Sequence, residues 1–469
     1  MINKIIDLSL FLFIYLFSLK IYFSLVAIDF HWAHIEKKKK KLILLILYSI
    51  LILNLSLIFG YYVNIFFILI YVLYMYAYSK SSFYGLGDTY ITPLLLFFIL
   101  YQPNFFYFTN FDSLIFNGTN IPEAFLAILC GLIFFSAGFE KRSSYIWRKN
   151  KAVLLFFLNP KFKKISVPLN KFSKKILILL NPIIIYSQLS FIFFLLFLPL
   201  KLALIPMFII FLFLMTLSIF FHYSDLTLPS LIMLLISFHL VIDVDDMFLL
   251  GYIFECYNLM SLIEKFILFS FFLSVVSSFA IITISDEVID KNKFLKFLKK
   301  IIRFSSGLIK IRVYNEDHLD NPLVQKFYVK DKNSKKEIFT LYNNNGTPFL
   351  KKTFFLPTAY LALSFKILDI LLEIDKIGKP SKDNYKLLQG IILFMVKEYE
   401  LKRRPIIFFL SIYQINIENL INNSKKKNFK DVLKISLLDE DRILIKKLTP
   451  KLLTYNTKRS VQQKRYQFN

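Results

Sequence analysis

The stretch LILLILYSILILNLSLIFGYYVNIFFILIYVLYMYAY, residues 42–78, runs for 37 residues without a charge. A helix rises 1.5 Å per residue, so one continuous helix of this length would measure about 55 Å. The hydrocarbon core of a bilayer is about 30 Å thick and takes about 20 residues of helix. The stretch therefore predicts two membrane-spanning helices that fold back on each other near Gly60 to Asn64.

The composition of the whole chain extends this prediction. Of its 469 residues 56% are hydrophobic and 19% are charged, and the mean hydropathy is +0.56. Soluble domains are closer to half apolar and a quarter charged. Long apolar runs in lipid must be helical, because lipid offers no partner for backbone N–H and C=O groups. The chain is therefore predicted to be an integral membrane protein.

Three regions follow from the distribution of apolar and charged residues. Residues 1–285 are predicted to form an all-α polytopic transmembrane bundle. Residues 286–305 are predicted to form an amphipathic linker helix on the membrane surface, and residues 306–469 a small, basic, soluble α+β domain. About nine spans are predicted in the bundle, at 5–28, 42–59, 61–79, 90–108, 121–139, 176–197, 203–221, 226–242 and 263–284.

The soluble region is less regular. Its predicted strands are 308–314, 326–329, 337–342 and 405–412, its helices are 359–374 and 385–400, and its tail 458–465 is predicted to be disordered. The helix near 360–372 contains Lys366 and Asp369 and is short for a span, although a tenth span there stays an alternative.

Charge suggests the partners and the orientation. The net charge of +26 lies mostly in loops beside apolar runs and in the soluble region, which favours anionic lipid headgroups over nucleic acid. If Lys37–Lys41 is cytoplasmic, the short loops on that side hold seventeen Lys and Arg, against two on the other side. The positive-inside rule then places the C-terminal domain in the cytoplasm.

Ionisable residues within or beside spans are the natural place to look for function, because burying them in a membrane is costly. Lys20 interrupts the first predicted span, Asp88 precedes the fourth, and His222 lies between the seventh and eighth. Each also has a structural interpretation, in which Lys20 fixes helix packing and His222 bonds a neighbouring helix end. The two cysteines form no CxxC pattern, and nucleotide-binding, zinc-protease and serine-hydrolase motifs are not found in the sequence.

The most informative segment is FFSAGFEKRSSYIW, residues 134–147. Its Ala-Gly pair lets another helix approach closely at the end of a span. Lys141 follows where apolar protein meets the headgroups. Desolvation there disfavours a charged amine, and a neutral amine can act as a base. The alternative is an anchor whose amine simply extends to the headgroups.

This segment resembles the motif of the HTTM (horizontally transferred transmembrane domain) family, which includes the vitamin K-dependent gamma-carboxylase and many bacterial membrane proteins. Three further segments occur in the family's order. Residues 19–29 resemble its first span, with Lys20 in place of the usual Arg, and 85–89 resemble the Gly-Gly-Asp-Thr of bacterial members. Phe220-Phe221-His222 resembles its Phe-His. Together these motifs cover about residues 1–285, and the pattern at 327–337 is similar to carboxylase-like members.

The resemblance implies a function. In the carboxylase the lysine matched by Lys141 is the base that deprotonates reduced vitamin K. The resemblance therefore implies Lys141 as catalytic base with His222 beside it, and a reduced quinone as cofactor. It also implies a secreted peptide or a lipid-soluble molecule as substrate, in the bacterial inner membrane. The binding residues that it implies are Lys20, Asp88 and Trp147. Asp88 stands where the carboxylase has a histidine, and the carboxylase's site faces away from the cytoplasm. A non-catalytic factor for maturation, export or immunity of a secreted peptide is the alternative.

Overall fold

A computed structural model gives the architecture of the chain. Most of the described residues are helical and form one bundle, and a small sheet follows towards the C-terminus. The described residues are 3–26, 28–32, 35–59, 63–81, 86–101, 119–158, 165, 169–221, 224–244, 247–284, 286–306, 323–329, 367, 370–398, 401, 406–414, 430–438 and 442–449.

The residues described up to Ser306 form fifteen α-helices and two short 3-10 turns, at Leu57–Phe59 and Leu200–Ala203. The helices are α1 (Asn3–Val26), α2 (Ile28–His31), α3 (Lys37–Ser56), α4 (Val63–Tyr78), α5 (Leu86–Leu100), α6 (Ile121–Ser143), α7 (Tyr145–Arg148), α8 (Ala152–Leu158), α9 (Lys171–Phe197), α10 (Leu204–Phe220), α11 (Ser224–Asp243), α12 (Leu249–Tyr257), α13 (Leu262–Thr283), α14 (Asp286–Lys291) and α15 (Lys293–Ser306).

These helices make the chain a multi-pass membrane protein. Among the described residues, six helical segments are long and apolar enough to cross a bilayer, at Ile5–Val26, Ile121–Ser143, Lys171–Phe197, Leu200–Phe220, Leu226–Asp243 and Leu262–Thr283. The other three predicted spans coincide with α3, which begins with five lysines, and with the shorter apolar helices α4 and α5. The count of nine spans stays a prediction.

The predicted reversal within residues 42–78 is confirmed. α3 ends at Ser56, a 3-10 turn follows, and α4 begins at Val63. The two helices pack against each other. A single helix across this stretch would be too long for the membrane, and the apolar block divides into α3 and α4.

The helix α6 lies at the centre of the bundle. It packs against α5, α9, α11 and α13, and its apolar span is buried along its whole length. Small residues such as Ala127, Gly131 and Gly138 let those neighbours come close. By contrast, α13 exposes Phe266 and Phe269, as expected of a helix with one face towards lipid.

The C-terminal region contains α16 (Lys382–Glu398) and a four-stranded antiparallel sheet. Its strands pair in chain order: β1 (Leu323–Val329), β2 (Ile406–Gln414), β3 (Lys430–Leu437) and β4 (Ile443–Lys447). The predicted α16, β1 and β2 are confirmed. The Lys-rich section that follows was not predicted to be sheet, yet it forms β3 and β4, in which lysines such as Lys434 alternate with buried Leu433 and Ile435.

This region has a hydrophobic core of its own, built from α16, the sheet and the helical residues 370–377. Phe23 of α1 joins that core, and α16 packs against α2. The predicted strands at 308–314 and 337–342 and the tail at 458–465 lie outside the described residues. The domain boundaries at 285 and 305 stay predictions.

Candidate functional site

Lys141 lies in the last turn of α6 with its side chain enclosed by protein, at 1% exposure. Its Nζ donates a hydrogen bond to Oε1 of Gln188 on α9 at 2.9 Å and lies 3.4 Å from the carbonyl oxygen of Ala137. The rings of Trp147 and Phe213 are centred 5.3 and 6.0 Å from the same nitrogen. The amine therefore points into the protein and does not extend to the headgroups as an anchoring lysine does.

Gly138 allows α9 to lie close to α6 beside this amine. A Cβ atom at Gly138 would come within 3.1 Å of Cβ of Gln188 and of the backbone nitrogen of Leu189. At Gly131, two turns earlier, a Cβ atom would lie 2.8 Å from Cδ1 of Ile192. Larger residues at either position would push the helices apart. The close approach predicted from the Ala-Gly pair is confirmed, and it brings Gln188 within hydrogen-bonding distance of Lys141.

A buried amide on α9 holds the segment that carries Trp147. Asn181 donates from Nδ2 to the carbonyl oxygen of Asn150 at 3.0 Å, and its Oδ1 accepts from the backbone N–H of Val153 at 3.1 Å. Asn150 has a φ of +56°, a left-handed conformation that asparagine tolerates, and it turns the chain between α7 and α8. Trp147, on α7, is fully buried against Lys141 as a result.

The structure places the other predicted residues elsewhere or leaves them undescribed. Lys20 is half-buried near the end of α1, with its Nζ 5.5 Å from the ring centre of Tyr78. Tyr78 also forms a hydrogen bond with Ser24, at 2.5 Å between the hydroxyl oxygens. Asp88 belongs to α5, but its side chain lies outside the described residues, and so does the whole of His222. The structure thus brings Lys141 and Trp147 together and places Lys20 in a second polar group.

Two residues of the site, Gln188 and Asn181, were not predicted. Both residues carry amides, which do not ionise, so the cost of burying a charge does not mark them in the sequence. The sequence did carry a signal, because these two amides stand seven residues apart in the apolar segment 176–197. Seven residues are two helical turns, so both amides lie on one face of the helix. Polar residues on one face of a span commonly bond across to a neighbouring helix.

The opposite end of α6 carries a second buried ionisable residue, Glu123, at 2% exposure. The two residues are 18 positions apart, which is about 27 Å along the helix. Among the described residues, none forms a hydrogen bond with Oε2 of Glu123 or with either ring nitrogen of His239 on α11. Asp243 lies within electrostatic range of both Glu123 and His239, and its Oδ2 accepts from Nδ2 of Asn120 at 2.8 Å.

Neither end resembles a metal centre. Within the part of the chain that the structure describes, no three His, Cys, Asp or Glu residues are arranged to hold a metal ion. Comparison with protein-family models, with curated proteins and with solved structures finds no match to this chain. The HTTM resemblance therefore stays a prediction.

Proposed function

We propose that this chain is a membrane enzyme of the HTTM, carboxylase-like group, in which Lys141 is the general base acting on a lipid-soluble quinone or peptide substrate. The observation that carries the proposal is the position of the Lys141 amine. It is enclosed among Trp147, Phe213 and Gln188 and does not reach for the membrane surface. Burial disfavours the charged form of a lysine, and a neutral amine can act as a general base.

The hydrogen-bond acceptors around the amine suit that role. A neutral amine has two N–H bonds and one lone pair. The oxygens of Gln188 and Ala137 can accept both N–H bonds. They therefore favour an orientation in which the lone pair points away from them, towards a group that gives up a proton. Gln188 is a positioning residue in this arrangement, and Trp147 excludes water from the amine.

The residues around Lys141 fit a reduced quinone in their chemistry. Trp147 and Phe213 offer flat apolar rings, and Lys141 and Gln188 offer polar groups for a ring oxygen. A bound reduced quinone would supply an ionisable hydroxyl and reducing equivalents. Lys141 would accept the hydroxyl proton at Nζ while Gln188 keeps that nitrogen in place.

The resemblance and the charge distribution add the remaining parts of the proposal. The order of the family's motifs suggests a peptide substrate and the bacterial inner membrane. It also suggests Lys20 and Asp88 as binding residues and His222 beside the base. The cytoplasmic C-terminal domain comes from the seventeen basic residues on one side and the two on the other. A reporter fused after residue 469 tests the sidedness and is expected to report the cytoplasm, whereas a periplasmic signal would contradict it.

The quinone content of the purified full chain tests the site. We expect quinone to be extracted from the wild type and from Lys149→Ala, whose side chain is exposed. It should be largely lost from Trp147→Ala, which removes the aromatic ring beside Lys141. Quinone-free wild type, prepared from membranes that contain quinone, would overturn the proposal.

The role of Lys141 as base needs a separate measurement. Reduced quinone added without oxygen should show the absorbance of its deprotonated form with the wild type and with Lys149→Ala, but not with Lys141→Met. Equal absorbance in all three proteins would remove Lys141 from the chemistry.

A non-catalytic factor for maturation, export or immunity of a secreted peptide is the second candidate. The observation in its favour is that Lys141 already bonds to Gln188 inside the protein, as a purely structural lysine does. The soluble region, packed against α2 through α16, would then offer a surface to a partner. In that case Lys141→Ala lowers stability without removing any quinone-dependent activity.

A further inference from the structure

The helix α15 contains a staggered repeat of three residues. The triplets are Lys293–Leu295, Lys296–Leu298 and Lys300–Ile302, with Lys299 inserted before the last one. Equivalent members therefore stand at positions i, i+3 and i+7. In a helix this spacing puts each kind of residue into its own row along the axis.

The three rows differ in their surroundings. The first row is basic and exposed, the second is apolar and exposed, and the third is apolar and packs against the bundle. The first row is Lys293, Lys296 and Lys300; the second is Phe294, Phe297 and Ile301, at 67%, 61% and 45% exposure; the third is Leu295, Leu298 and Ile302.

The third row fixes where α15 lies. α15 packs against α13, the span that leads into it, and against α5, and the third row is the part of α15 that joins the core of the bundle. Because α15 is attached to the bundle along this row, its two other rows stay exposed. α13 also exposes apolar side chains, among them Leu273 and Val276, as expected of a span that faces lipid.

We propose that α15 lies in the interfacial layer of the bilayer and binds the headgroups of anionic phospholipids. Phe294, Phe297 and Ile301 enter the boundary of the acyl chains, and the lysine row meets the phosphate groups. A helix with an apolar face, a lysine-rich face and about 21 Å of length is suited to this layer. The proposal does not depend on the chemistry at Lys141.

The two exposed rows together select this partner. Nucleic acid or an acidic soluble protein would neutralise the lysines but leave two phenylalanine rings in water. A neutral lipid would cover the rings but give the lysines no counter-charge. Anionic lipid satisfies both rows. Three lysines near such a surface favour anionic over neutral lipid by roughly a hundredfold.

Fluorescent labelling of the full chain in lipid nanodiscs tests the proposal. Phe297→Cys and Lys296→Cys place a label sensitive to its environment on the apolar and the lysine row, and both native cysteines are buried. Nanodiscs of phosphatidylcholine alone are compared with nanodiscs that also contain phosphatidylglycerol, each with or without a spin label on the acyl chains. We expect the spin label to quench the label at position 297 much more than at 296, and phosphatidylglycerol to increase that quenching.

A charge-matched control isolates the lysine row. Changing Lys293, Lys296 and Lys300 together to Gln should remove the effect of phosphatidylglycerol. The same change at Lys376, Lys379 and Lys382, exposed lysines of the soluble region, should preserve it. A water-exposed label at 297 in every nanodisc would overturn the proposal. A label at 297 that is shielded from water but not quenched by the spin-labelled lipid would also overturn it, because protein would then cover this row. Quenching at 297 that does not change when phosphatidylglycerol is added would overturn it as well.

Discussion

The two ends of α6 are both buried and both carry an ionisable residue, yet they are built differently. Glu123 stands in the first turn and Lys141 in the last, where the helix dipole favours an acid and a base respectively. The dipole therefore does not distinguish them. The neighbouring helices do, because α9 offers the amide of Gln188 to Lys141, whereas α11 offers the carboxylate-bearing Asp243 to Glu123.

This comparison teaches that burial alone does not mark a site. A buried polar atom without a hydrogen-bond partner costs roughly 1–3 kcal/mol. Oε2 of Glu123 carries that cost, while the amine of Lys141 is held by two oxygens and enclosed by two aromatic rings. The Lys141 end is therefore the one at which α9 provides matching polar groups.

The largest effect is expected at Asn181, which holds the segment around Trp147. Asn181→Ala would leave the N–H of Val153 and the carbonyl of Asn150 without this partner, and we expect a loss of about 3 kcal/mol in the free energy of unfolding. Chemical unfolding in detergent measures it. Asn170→Ala is the control, because Asn170 only caps the exposed start of α9 and its loss costs about 1 kcal/mol. Equal losses would mean that Asn181 does not hold this segment.

A mutant cycle compares the two ends of α6 directly. Lys141→Met leaves Oε1 of Gln188 without its donor, and we expect it to cost about 2 kcal/mol. Adding Gln188→Leu replaces both polar groups by apolar ones and should recover most of that loss. Glu123→Gln should cost less than Lys141→Met, since no described residue donates a hydrogen bond to Oε2. A larger loss in the free energy of unfolding for Glu123→Gln than for Lys141→Met would mean that the Glu123 end of α6, and not the Lys141 end, has the matched polar partners.

Much of this architecture could be predicted from the sequence, because the membrane imposes strong and simple rules. A run of 37 uncharged residues is too long for one span, and it forms two helices, α3 and α4, that pack against each other. The Ala137-Gly138 pair predicted a close helix contact, and α9 makes that contact. These features depend on length and on residue size, which the sequence displays directly.

The partners in the site could not be predicted in the same way. Lys141 was identified as a candidate base, but Gln188 lies 47 residues away, and nothing in the local pattern pairs the two. The strands β3 and β4 were missed for another reason. Lys434 and Lys446 lie on the outer face of the sheet, so the high charge of the section concealed the buried positions between them.

The next effect concerns the contact that positions Gln188. Gly138→Ala places a methyl group within 3.1 Å of the backbone of α9, and we expect a loss of about 1.5 kcal/mol as the helices separate. The variant should also lower quinone content, because Gln188 moves away from Lys141. Gly251→Ala is the control, since the nearest atom lies 4.0 Å away, and it should stabilise α12 by about 0.5–1 kcal/mol. An unchanged free energy of unfolding in Gly138→Ala would show that α6 and α9 are not tightly packed at this position.

The smallest effect extends the comparison to His31, a buried residue of α2 beyond the first span, on the helix against which the C-terminal region packs. Burial, and then the nearby charge of Lys20, lower the pKa of His31 to about 3. The unfolded chain takes up a proton there below about pH 6.5, whereas the folded protein does so only near pH 3. Stability is therefore greatest above pH 6.5 and falls as the pH falls towards 3.

Between pH 7.5 and 5.5 this linkage should lower the free energy of unfolding by about 1 kcal/mol. Unfolding of the wild type and of His31→Gln at both pH values measures it, and the difference between the two proteins isolates the histidine. Glutamine does not titrate, so His31→Gln should lose about 1 kcal/mol less than the wild type on acidification. If both proteins lose the same amount, His31 is open to solvent and protons in the folded state, and the C-terminal region does not keep water from α2. The burial of His31 would then depend on a contact between the C-terminal region and α2 that opens, whereas Lys141 is enclosed within the bundle.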